Sequence, residues 1–326
     1  MKMLRFSETL SKLWDSFIME SNNGTIFQMR RFLSYHPNNR FKDCSLLFLE
    51  DDKLIAVMPA VLKKEGKNLI FASHPGATYG GIVHKKVLSL QNTCKLVEEL
   101  IKYVTRLGCE KMQITPPPIL YHKLPSNNIE FAFHKNGFYL KKRELTSIVS
   151  LKLETNISNI FKQEARTALR KAVKKKIKTK NSDDFITFYN LLKVNLMKKY
   201  NVNPTHSLEE LLKLKELFPD KISLKSAYLN EKLIAGVINF VCNEKVMLAF
   251  YISQDNDYQS YRPLNLLFHE ILNECRQKGY YFYDLGLFTV NMEPNWGLAR
   301  FKESLGGNNI FRDYYERRLS KQRLKI

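Results

Sequence analysis

The chain has 326 residues, 44% of them hydrophobic and 12% aromatic, enough to pack two units of about 150 residues and too apolar for a disordered polypeptide. Lys and Arg number 52 against 32 Asp and Glu, and a net charge of +20 favours anionic partners such as nucleic acid, an anionic membrane surface or a phosphate-bearing small molecule, although a lysine-rich composition kept for solubility has the same total. The longest apolar run, 54–62, contains Pro59 and falls well short of a membrane span. The amino terminus turns polar too soon for a signal peptide, and five cysteines without a C-x-x-C pair argue for reduced thiols in a cytoplasmic protein, against both disulfides and a metal site.

Taken in chain order, Leu10, Leu13, Trp14, Phe17 and Ile18 predict an amphipathic helix over 8–19. Residues 44–49, the acidic turn Glu50-Asp51-Asp52 and 53–57 read as a β-hairpin, with a third strand at 68–72. A helix over 88–105, with Leu90, Leu96, Val97, Leu100, Ile101 and Val104 on one face, closes at Gly108. A strand at 111–115, a short helix ending in Lys135-Asn136-Gly137 and a strand at 138–151 complete this half, and a helical connector follows over 157–216. The same order then recurs: strands at 224–229 and 232–237 around Asn230-Glu231, a strand at 246–251, and a helix over 264–278 carrying Leu266, Leu267, Ile271 and Leu272 and closing at Gly279. A strand at 280–285, a helix running into Leu305-Gly306-Gly307, and a strand at 310–319 end the chain. The chain is thus written twice, in the order of a GNAT acyltransferase unit. The expected fold is α/β: two tandem GNAT-like domains with mixed, mainly antiparallel sheets, divided as 1–155, a connector 156–220 belonging to the second domain, and 221–326.

Three segments carry chemistry. In the first half His74-Pro75-Gly76-Ala77-Thr78-Tyr79-Gly80-Gly81 follows the third strand, where backbone N–H groups can line a ligand; a turn needing positive φ explains the same glycines. The corresponding stretch of the second half, 256–263, holds no glycine and departs from the R/Q-x-x-G-x-G/A loop that grips coenzyme A. A basic helix over 169–180 carries Arg170 and six lysines without an acid; Arg166 and Arg170 share a face and suit phosphate. Ile160, Phe161, Ala165, Leu169, Ala172 and Val173 form its buried stripe, so the lysines also suit a solvated back. Finally, Lys302 precedes the second glycine turn, where a cation can face a developing oxyanion. No G-x-S-x-G, P-loop or dinucleotide fingerprint is present.

The segment 295–307, with its W-G-L-x-x-F-K-x-x-x-G core, resembles the terminal motif of the Fem-like, BioF2-type acyltransferases of the GNAT superfamily. Thr78-Tyr79-Gly80-Gly81 and the Arg166-x-x-x-Arg170-Lys171-Ala172 helix are similar to other signposts of that group. The resemblance implies tandem GNAT-like domains with an acceptor in the cleft between them, and either an acyl-CoA or an aminoacyl-tRNA as donor. It implies that Lys302 polarises the acyl carbonyl and that Arg166, with Arg170 one turn on, holds the acceptor's phosphates. It further implies that Tyr251 lines the cleft and that Thr78, Tyr79, Gly80, Gly81, Arg300 and Phe301 belong to the substrate site. Gln28 and Arg30 lie in the neighbourhood of the family's N-terminal substrate-binding residues. The connector is too short for the long helical arm of several Fem enzymes.

The leading expectation is acyl or aminoacyl transfer to an amine or hydroxyl of a phosphate-bearing, small-molecule or lipid-linked cell-envelope precursor, with tRNA and the membrane surface as candidate partners. A non-catalytic nucleic-acid-binding module built on the basic helix, and a degenerate GNAT pair acting as a scaffold, are the alternatives; the first lacks aromatic stacking residues among its lysines.

Overall fold

The structure, a computed structural model, describes residues 1–37, 39–152 and 156–319. It divides into two compact units: Met1–Glu144 joined by the chain from Phe311 onward, and Leu145–Ile310. The last strand thus returns to the first unit, and the 157–216 segment lies inside the second.

In the first unit the helix Ser11–Glu20 buries Trp14, Phe17 and Ile18, and the Trp14 indole donates to the Gln28 carbonyl at 2.8 Å. Leu13, expected inward, is 52% exposed; at 100° per residue it stands about a quarter turn from the centre of that stripe. The hairpin forms as expected, Leu46–Glu50 against Lys53–Met58, with Asp51 and Asp52 both left-handed in a two-residue turn whose twist suits the strands. Pro59 then removes a ladder donor. The chain leaves that four-stranded sheet and continues as Ala60–Glu65, paired with Asn68–Ser73 in a second sheet. In this second sheet Asn68–Ser73 pairs parallel to Lys111–Ile114, which pairs antiparallel with the last strand, Asn308–Arg318. The helix Leu90–Arg106 covers the core through Leu96, Val97, Leu100 and Val104, whereas Leu90, one turn too early, is exposed.

The second unit repeats the plan without the proline break. Ile222–Leu229 and Lys232–Val241 form one long hairpin about left-handed Asn230 and Glu231. Val246–Gln254 follows antiparallel, then Phe282–Leu287 parallel to it, then residues 146–150 of the strand Tyr139–Ser150 antiparallel. The helix Pro263–Gln277 packs Leu267, Phe268, Ile271, Leu272 and Cys275 into the core with Val237 and Tyr283. The basic helix is shorter than expected. It runs Gln163–Lys174, Lys176 turns left-handed at φ 56°, and Lys178–Ser182 is an edge strand on Ile222–Leu229. Buried Ile177 anchors that reversal, so Lys178 and Lys180 do not continue the helical face. Val173, expected in the buried stripe, is exposed, while Phe161, Ala165 and Ala172 are buried. Among the described residues no helix is long and apolar enough to cross a membrane.

Candidate active site

In the second unit the parallel pairing of the two central strands lasts only three residues, Val246↔Phe282, Met247↔Tyr283 and Leu248↔Asp284. Past Asp284 the second strand bulges at Gly286, whose φ of +81° is left-handed, a conformation that disfavours a side chain. The bulge is held by Asp284: its fully buried carboxylate accepts the Gly286 N–H at 2.7 Å and the Thr146 hydroxyl at 2.5 Å. Turned outward by the bulge, the carbonyls of Gly286 and Leu287 accept from Lys302 Nζ at 2.7 and 2.9 Å.

Lys302 comes from the last turn of the helix Trp296–Ser304. The Asn295 side chain caps this helix by accepting the Leu298 N–H at 3.0 Å. Phe301 packs edge-on against Phe268, 5.9 Å between ring centres, and fixes the helix on the core. The glycine pair behind it allows close approach: a Cβ on Gly306 would fall on Ile160, and one on Gly307 on the Ser147 hydroxyl. Lys302 is only 2% exposed, and burial lowers its pKa from the ordinary 10.5 to about 8, with the Asp284 carboxylate opposing the fall. The result is an ammonium group with two of its three N–H donors engaged by carbonyls, set beside the place where the central strands part.

The other residues expected at the site occupy varied settings. Arg300 is exposed on the same helix. Arg166 is half-buried and donates to Gln163 Oε1 at 2.9 Å; Arg170 is exposed, 3.4 Å from Thr167 Oγ1. Their helix is tied to the end of the Lys302 helix, since the Lys162 amide donates to the Ser304 carbonyl at 2.8 Å. Tyr251 is buried, and its hydroxyl accepts the His206 backbone N–H at 3.1 Å and shares a hydrogen bond with His206 Nδ1 at 2.9 Å. Burial raises that phenol to about 12, so it stays protonated.

Thr78, Tyr79, Gly80 and Gly81 belong to the first unit. There the Thr78 carbonyl accepts from Arg312 at 2.6 Å, the Tyr79 ring lies 4.8 Å beneath the same guanidinium, and the Gly80 carbonyl accepts from buried Gln28 at 2.7 Å. Gly81 is left-handed at φ +79°. Arg30 pairs with Asp43 at 2.8 Å and covers the Phe6 ring at 3.8 Å.

Between the strand Val246–Gln254 and the helix Pro263–Gln277, where a phosphate cradle would sit, the chain forms a 3-10 turn over Asn256–Tyr261. Its N–H groups serve the turn itself: Asp257 donates to Asp255 Oδ1, Tyr258 to the Asp255 carbonyl, and Arg262 to the Gln259 carbonyl. Pro263 takes the first helical position and contributes no N–H, and the Asp255 carboxylate, paired with Lys232 at 2.9 Å, brings a negative charge.

Sequence reasoning singled out Lys302 but not the hydrogen bonds that order its surroundings. Asp284 had a local signal, since an Asp two residues before a glycine suits a carboxylate capping that glycine's N–H. Thr146 and His206 had none, because their partners lie 138 and 45 residues away.

Residues 159–303 match the family described as "Acetyltransferase (GNAT) domain", a span that holds Lys302 and the Arg166 helix. The fold is similar to that of FemX, at 14% identity, TM-score 0.74, over 99% of this chain and 98% of that one. It is also similar to the C-terminal domain of a putative lysylphosphatidylglycerol synthetase from Agrobacterium fabrum, at 12% identity and TM-score 0.58, over 94% and 91% of the two chains. A tandem GNAT protein from the clavulanic acid biosynthesis pathway aligns over 97% of this chain and 98% of its own, at 7% identity and TM-score 0.57. No curated protein matches the sequence.

Proposed function

We propose that this chain, an acyltransferase of the GNAT type in the tandem fold shared with FemX, transfers an acyl or aminoacyl group to an amine or hydroxyl of a phosphate-bearing cell-envelope or polysaccharide precursor. The observation that carries this reading is Lys302, a buried ammonium fixed by the Gly286 and Leu287 carbonyls beside the parting strands. As the acceptor attacks the acyl carbonyl, negative charge develops on that oxygen, and the remaining N–H of Lys302 donates to it. In a site shielded from water such a donor is worth about 10²–10³ in rate. Arg166 and Arg170 hold the acceptor's phosphates, with Tyr251, Arg300 and Phe301 lining the same site within the second unit. The reaction takes place in the cytoplasm.

For the donor, the closed turn at Asn256–Tyr261 favours an aminoacyl-tRNA ester over a coenzyme A thioester. The N–H groups of Asp257, Tyr258 and Arg262 are engaged within the turn, and Pro263 has none to offer a pyrophosphate. The test supplies the purified chain with a nucleotide-linked envelope precursor and either labelled aminoacyl-tRNA or a panel of acyl-CoAs. Label should pass from aminoacyl-tRNA, and Lys302→Met should slow it by about 10²–10³. Turnover of Lys302→Met within a few-fold of the parent overturns the role of Lys302, and transfer from acyl-CoA alone overturns the donor.

A further inference from the structure

We propose that one face of the second unit docks on an anionic lipid bilayer, an interaction independent of which acyl donor is used. The face has two parts. The first is the hairpin Thr289–Val290 against Glu293–Pro294, with left-handed Asn291 and Met292 at its tip, followed by the helix that begins at Trp296. Val290 is 73% exposed, Met292 57% and Trp296 69%. The second part is the end of the helix Phe185–Tyr200. Lys193, Met197 and Tyr200 stand there at i, i+4 and i+7 and so share one side, with Val202 just beyond the helix. The two parts adjoin, because the Asn295 side chain donates to the Tyr200 hydroxyl at 3.3 Å.

This composition fits a membrane interface. Exposed aliphatic side chains at a hairpin tip can enter the acyl boundary, and Trp and Tyr favour the headgroup level, where an apolar body and a polar tip are both satisfied. Lys193 stands on the Met197 and Tyr200 side of the helix and exposed Lys198 and Lys199 flank that side on either hand; with the chain's net charge of +20 this matches an anionic surface. Trp296 and Tyr200 also suit base stacking, but the exposed aliphatic Val290, Met292, Met197 and Val202 gain nothing from a nucleic acid, whereas a bilayer takes them out of water.

The chain supplies its own reporter. Of its two tryptophans, Trp14 is fully buried and Trp296 is exposed, so an emission change on adding lipid reads the docking face. The full chain would be mixed with vesicles of phosphatidylcholine alone or of phosphatidylcholine with phosphatidylglycerol, and binding read by emission and co-sedimentation. A blue shift and sedimentation with the anionic vesicles are expected. Val290→Ser with Met292→Ser should weaken binding by about tenfold or more, and Lys193→Glu with Lys198→Glu and Lys199→Glu should remove the preference for anionic lipid. All five positions are exposed, so unchanged thermal unfolding certifies that the variants fold. The proposal is overturned by an absence of binding to the anionic vesicles, by equal binding to both kinds, or by binding that the apolar variants leave unchanged. It is equally overturned if those variants instead dissolve a dimer of the free chain or abolish RNA binding.

Discussion

The two glycine turns of this molecule share one backbone and differ in what it presents. In the second unit Leu305 donates to the Phe301 and Lys302 carbonyls, Gly306 to Glu303 and Gly307 to Lys302; in the first, Asn136 donates to Ala132 and Phe133, Gly137 to His134 and Phe138 to Phe133. Both glycines are left-handed, at φ 85° and 75°. The residue in the first unit that stands where Lys302 stands is therefore Phe133, not Lys135. Phe133 is fully buried, 4.8 Å from the Phe138 ring centre, while Lys135 is on the surface, 3.7 Å from Glu98. One position in a repeated turn completes a core in one unit and buries a cation in the other. A buried ammonium opposes stability, so its presence points to chemistry.

That contrast can be broken in four ways. Phe133→Ala should cost about 3–5 kcal/mol, the usual penalty for emptying a buried phenylalanine site, read as a lowered urea midpoint; a loss under about 1 kcal/mol would show that this site is not core. Lys302→Met should remove about 10²–10³ in turnover yet leave the urea midpoint unchanged or higher, since a flexible apolar chain replaces a desolvated charge. A stability loss as large as that of Phe133→Ala would make the lysine structural.

The third test is pH. The folded pKa of Lys302, about 8, lies below its ordinary 10.5, so between these values the unfolded chain holds a proton that the folded chain has released. Stability should therefore rise with pH across that window, by about 3 kcal/mol in all, and the rise should vanish from the difference between parent and Lys302→Met. Turnover should fall above about pH 8 as the ammonium is lost. The smallest effect is Thr146→Val, which deprives the Asp284 carboxylate of a hydroxyl donor. We expect a loss of about 2 kcal/mol, with a shift in the pH at which turnover falls; unchanged values of both would detach Asp284 from the lysine site.

Much of the fold was legible in the sequence because its signals are local. Hairpins announce themselves by a short polar turn between strands rich in apolar residues, and both turns, Asp51-Asp52 and Asn230-Glu231, formed as the pattern indicates. What failed was read over too short or too uniform a window. The lysine run looked continuous, but a left-handed Lys176 and a buried Ile177 turn it from helix to strand, a reversal that rests on tertiary burial. The two glycine turns were legible as a pair, but which residue of the first stands where Lys302 stands needed the hydrogen bonds, which put Phe133 there. The F-K motif marks Lys302 in the sequence, whereas its depressed pKa and its hold on two carbonyls needed the Gly286 bulge, where Asp284 is bonded by Thr146 far away in the chain.

The return of the last strand to the first unit has a consequence for how the protein is made. The second unit, Leu145–Ile310, is one uninterrupted stretch and can close as soon as it has left the ribosome. The first unit is begun earlier but lacks the strand whose Tyr315 and Arg317 pair with Ile114 and Met112, and so has an open sheet edge until that strand has been made. The amino-terminal unit is therefore the last to finish. A stop codon only a few residues past Ile310 would spare the unit it interrupts in sequence and cripple the one made first.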